Sequence, residues 1–118
     1  MDMLPIAERA LAMIAIDDEF GRTVAAARIE VIDPASIRAS LHVESGHLPV
    51  GSRQRLVDAV LDEPEVRARR MLHVALPLGD TELLQHVRQR CTTGEPRAAG
   101  VSCLIDAELP GPRPASEP

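Results

Sequence analysis

Hydrophobic and polar positions change their period three times between Ile37 and Cys91, and those changes predict the centre of the fold. Ile37, Ala39, Leu41 and Val43 alternate with Arg38, Ser40, His42 and Glu44, the period of two of a strand with one buried face. Leu56, Val57, Val60 and Leu61 then recur at helical spacing. Leu72, Val74 and Leu76 return to a period of two within a strand predicted over 66–76. Leu83, Leu84, Val87 and Cys91 return to helical spacing over 81–91. Strand, crossover helix and strand in that order predict a parallel pair with a right-handed connection.

Upstream, the spacing predicts a helix from Pro5 to Phe20. Pro5 suits a first helical position, and Leu4, Ala7, Leu11 and Ile14 form one stripe. A competing reading makes 10–16 a strand and 18–22 a turn; the run of helix formers from Ala7 to Ala12 favours the helix. Residues 23–32 read as a strand with Ala25, Ala27, Ile29 and Val31 inward, and Asp33-Pro34-Ala35-Ser36 as a turn. Odd-numbered residues face inward on both sides of that turn. The loop therefore needs three or five residues, or a bulge, to keep both apolar sets on one face.

Each parallel strand ends in a loop that leads into a helix, over 45–52 and 77–80. Pro64 closes the first helix, and Asp80 is a ready N-cap for the second. Residues 92–99 read as a loop and 100–107 as a last strand with Val101, Cys103 and Ile105 on one face. A Pro-rich stretch over 109–118 has no hydrophobic anchor and reads as a disordered tail. The expectation is a single α+β two-layer domain over 1–108. Its order is α-β-β-α-β-α-β, with a mixed four-stranded sheet and helices mainly on one face.

Composition narrows the function classes. The chain has 118 residues, enough for one domain with a core of its own. Phe20 is its one aromatic residue, so that core is aliphatic. There is no lysine: all 13 fixed side-chain cations are arginines, which excludes lysine Schiff-base chemistry and has the character of a GC-rich bacterial genome. The net charge of -5 and the lack of Tyr and Trp argue against a nucleic-acid surface. A weak nucleic-acid contact through Arg67, Arg69, Arg70, Arg88 and Arg90 is the third-ranked reading. No stretch reaches the roughly 20 apolar residues of a membrane span. The start carries Asp2 and Glu8 rather than a basic leader, so the expected compartment is the cytoplasm. Cys91 and Cys103 lie on apolar faces and read as buried thiols.

Candidate chemistry is sparse. No His-x-His, His-Glu-x-x-His, Cys-x-x-Cys, Walker loop or nucleophile elbow occurs, so no catalytic residue, metal or cofactor is assigned. The ligand region, if the chain has one, falls on the two strand-end loops: His47, Gly51, Ser52, Gly79, Asp80 and Thr81. Arg38, His42, Met71, His73 and Leu104 are out of phase with the inward residues and mark an open sheet face suited to a homodimer or another protein partner. The leading expectation is a small non-catalytic regulatory or protein-interaction domain. The alternative is a small-ligand-binding domain or enzyme with its pocket at the loops 45–52 and 78–81.

Overall fold

The alternation around Ile37 builds a strand at the middle of a wide sheet. The computed structural model describes residues 10–46 and 48–109. Its elements are β1 (Ala10–Asp17), β2 (Thr23–Asp33), β3 (Ser36–Val43), α1 (Ser52–Asp62), α2 (Pro64–Arg67), β4 (Met71–Pro77), α3 (Thr81–Arg90), β5 (Thr92–Thr93), β6 (Arg97–Ala99) and β7 (Ser102–Glu108). The sheet order is β1-β2-β3-β4-β7-β5, with β6 also on β7. Only β3 and β4 run parallel; the other pairs are antiparallel.

Seven strands replace the expected four-stranded sheet and its α-β-β-α-β-α-β order. Three local misreadings account for the difference. The stretch expected as the end of a first helix is β1. Its Ala12, Ile14 and Ile16 alternate toward the core, and it pairs with β2 from Ala12↔Ile29 to Ile16↔Ala25. The turn 18–22 closes that hairpin, with Asp18 Oδ1 accepting the N–H groups of Phe20 (2.8 Å) and Arg22 (2.9 Å). Helix propensity is a weak local preference, and the non-local pairing outweighs it. The part of the expected helix that precedes Ala10 lies outside the described residues, as does the tail beyond Leu109.

The second misreading concerns Pro64. It closes α1 but also opens α2 as an early helical residue, so Val66 sits fully buried on a short helix and β4 begins only at Met71. The third concerns 92–99, where two- and three-residue strands pair with β7. Segments that short carry no readable period. The β2–β3 turn contains the bulge that parity requires: Val31 pairs with Ile37, but Asp33 pairs with Ser36.

Core residues come from one face of the sheet and from the helices. Ile29, Ile37, Leu72 and Ile105 meet Leu56 of α1, Val66 of α2 and Leu83 of α3, all fully buried. No helix among the described residues covers the other face.

Candidate functional site

The central feature is a parting of the two parallel strands. β3 and β4 pair from Ser36↔Met71 to Ser40↔Ala75. Beyond that point β3 continues to Val43 on β2, and β4 continues to Pro77 on β7. The last residues of both strands thus keep their outer neighbours and lose each other. Their facing N–H and C=O groups are left for another partner.

Two helices start at the mouth of this opening, and they differ electrically. α1 begins after Gly51, whose φ of 82° is left-handed, with no side-chain cap and no acid in its first turn. α3 begins with Asp80, which accepts Leu83 N–H at 3.1 Å, and carries Glu82 in its first turn. An anion is therefore favoured at α1 and disfavoured at α3. Arg53 ties the two starts together: its Nε lies 3.0 Å from both carboxylate oxygens of Asp80, and its Nη1 lies 3.8 Å from Glu82.

Gly51, Ser52, Gly79, Asp80 and Thr81 are thus brought to one end of the sheet, as the parallel pair predicts; His47 lies outside the described residues. Two of these side chains are already engaged. Ser52 is buried and its hydroxyl donates to Pro49 C=O at 2.7 Å, while Asp80 serves as cap and ion-pair partner. Sequence reading missed Arg53, because its partner is 27 residues away and no local period marks it.

The same end carries an apolar rim. Among the described residues, Met13, Phe20, Val50, Leu78 and Val101 are the exposed large apolar side chains, and all but Met13 lie here. Phe20 precedes the start of β2, which pairs with the end of β3; Val50 precedes α1; Leu78 follows β4; Val101 precedes β7. Leu78 N–H donates to Val101 C=O at 2.9 Å.

The uncovered face gathers the other predicted residues. Register sets Arg38 beside His73, His73 beside Asp106, and Ala75 beside Leu104; Met71 and His42 share that face. His42 Nε2 lies 3.2 Å from Glu44, on the stretch of β3 that has lost its β4 partner. His73 Nδ1 lies 2.8 Å from Asp106 Oδ1, and Arg97 Nη1 lies 3.6 Å from Oδ2. The hydrogen bond from His73 holds the Asp106 carboxyl below its ordinary range, with the Arg97 charge adding to it. A lowered native pKa stabilises the fold above the ordinary carboxylate value, and that contribution is lost as pH falls through the native value. The stability difference between the wild type and Asp106→Asn is therefore expected to shrink as pH drops below about 4. Acid titrations followed by circular dichroism check this; a difference that persists or grows at low pH contradicts it.

The remaining candidates do not converge. Burial pushes the Cys91 thiol up, away from the reactive thiolate; Cys103 is buried, and both are free. Arg69 is held by Glu65 at 3.1 Å, Arg90 pairs with Asp58, and Glu108 lies in the groove that Arg70 and Arg90 line. The arginines thus make no acid-free patch. No cluster of three or more His, Cys, Asp or Glu among the described residues could hold a metal ion, and no helix there is long and apolar enough to cross a membrane.

Neither a protein-family model nor a curated protein matches the sequence. Solved structures do match the fold. A protein of Acinetobacter baylyi provisionally called an acetyltransferase superposes with a TM-score of 0.62 at 11% identity, over 89% of this chain and 68% of that one. A GNAT-superfamily phosphinothricin acetyltransferase from Sinorhizobium meliloti gives 0.60 at 12%, over 90% and 64%. The spermidine/spermine N-acetyltransferase of Vibrio cholerae gives 0.60 at 9%, over 88% and 69%. The chain shares the fold of these solved structures. This GNAT-like sheet corrects the expectation of a non-catalytic interaction domain: its solved neighbours bear the names of enzymes, and the alternative, a pocket at the strand ends, fits the fold better.

Proposed function

We propose that this chain binds a coenzyme A thioester such as acetyl-CoA in the opening between β3 and β4 and takes part in acyl transfer. The observation that carries the reading is the loss of β3–β4 pairing beyond Ser40 and Ala75, beside the uncapped start of α1. Two of the solved neighbours contain acetyl-CoA.

The residues present fit such a ligand. Coenzyme A is a long chain with two amides, and the free edge of β3 from Leu41 to Val43 offers backbone groups to pair with them. It also carries phosphates, which suit an α1 start that has no acid in its first turn. Gly51 leaves open space where a side chain would stand. Pro49 lacks an N–H, so the loop has one donor fewer than another residue would supply. Bound there, the thioester would supply the acyl group in activated form. His42 faces the uncovered side at the opening and, with Glu44 beside it, can take a proton from an acceptor.

Titration of the full chain with acetyl-CoA, followed by amide chemical shifts, tests the reading. Shifts are expected at 41–43, 51–55 and 76–81. Gly51→Val is expected to weaken binding by at least about tenfold, because a β-branched residue is strained at a φ of 82°. Arg67→Gln, at the opposite end of the sheet, should leave it unchanged. Shifts confined to other regions, or none at millimolar ligand, would sink the proposal.

A further inference from the structure

The uncovered face holds a concavity of about 270 Å³ lined by Ile32, Arg38, His73, Ala75, Arg97, Leu104 and Asp106, with Val74 at its base. At roughly 30 Å³ per water it has room for about nine waters, the scale of a small organic acid rather than a drug-sized ligand. Its charges are arranged unusually for a chain of net charge -5. Three arginines and His73 on this face share two carboxylates, one oxygen each. Glu30 meets Arg28 at 3.1 Å through Oε2 and Arg38 at 3.6 Å through Oε1. Asp106 meets His73 at 2.8 Å through Oδ1 and Arg97 at 3.6 Å through Oδ2.

The carboxylates therefore position the cations without neutralising them. Arg28, Arg38 and Arg97 set three positive charges against the two negative charges of Glu30 and Asp106, a surplus of one on this face. Arg38 and Arg97 are more than half exposed, so most of their N–H donors remain free for a bidentate acceptor. Arg38 is on β3 and Arg97 on β6, with β4 and β7 between them. Three strand spacings separate the two backbones by roughly 14 Å, so the side chains form two walls with His73 on the floor between them. Ile32, Ala75 and Leu104 make the rest of the floor apolar.

We infer that this cleft binds a small dicarboxylate, one carboxylate on each arginine wall and its short carbon chain over Ala75 and Leu104. His73, anchored at Nδ1 on Asp106, has no partner at Nε2 among the described residues, and in the imidazolium form that nitrogen donates to a ligand carboxylate. This site is separate from the opening between β3 and β4 and does not depend on the acyl-transfer reading.

Amide chemical-shift titrations of the full-length chain at constant ionic strength test it. The probes are succinate, butyrate, the neutral succinamide and inorganic phosphate. Succinate is expected to shift 38, 73, 97 and 104–106 and to bind at least about fivefold tighter than butyrate. Succinamide should leave those amides in place. R38Q and R97Q should each bring succinate down to the butyrate level, and both side chains are exposed enough for the fold to survive. Equal binding of succinate and succinamide, or of succinate and butyrate, overturns the inference. So does phosphate binding as well as succinate, which would mark a general anion site, or a succinate affinity unmoved by either substitution. Failure here leaves the acetyl-CoA shifts at 41–43 and 51–55 as they are, so the two proposals fail separately.

Discussion

Replacing Leu56 with Ala is expected to lower the unfolding free energy by about 3 kcal/mol, the scale of a large-to-small change at a fully enclosed site. Leu56 is 0% exposed, and α1 lies against β1 and β2 as well as α3. The lost side chain leaves a hole in the core between α1 and the sheet. Urea denaturation at neutral pH measures the loss. A loss below about 1 kcal/mol would mean that α1 is not seated on the sheet.

Asp80→Ala carries the second large effect, because one carboxylate has two tasks. It caps α3 through Leu83 N–H and holds Arg53 at the start of α1. Loss of an N-cap costs typically about 1 kcal/mol, and stranding the partly buried Arg53 adds to that, for about 2 kcal/mol in all. Asp80→Asn separates the tasks. An Asn still caps, so its cost should fall to about 1 kcal/mol or less, while the tie between the loops is lost in both variants. Equal stability of the Ala and Asn variants would show that the cap contributes nothing. If the acyl-transfer reading holds, both variants should weaken acetyl-CoA binding, since the α1 start is no longer held against α3.

These two sites show what local pattern conveys and what it omits. The seat of Leu56 was legible, because helical spacing marks the buried stripe of α1 directly. The cap at Asp80 was legible too, because capping is a matter of residues three apart. Arg53 as its partner was not, since that contact depends on how two helix starts are placed by a parallel pair.

Sequence by itself determined the strand around Ile37, the helices after each parallel strand, the need for an odd loop or a bulge between β2 and β3, and the shared end of the loops that follow β3 and β4. Each follows from a period or a parity within a dozen residues. Tertiary structure alone decided the rest. It made 10–17 a strand against its helix propensity, because a hairpin partner lay waiting in β2. It put β7 between β4 and the short strands β5 and β6, and that order alone brings Asp106 to His73 across 33 residues. It also parted β3 from β4 beyond Ser40, a feature no alternation can show, because both strands keep their period of two to the end while losing each other as partners.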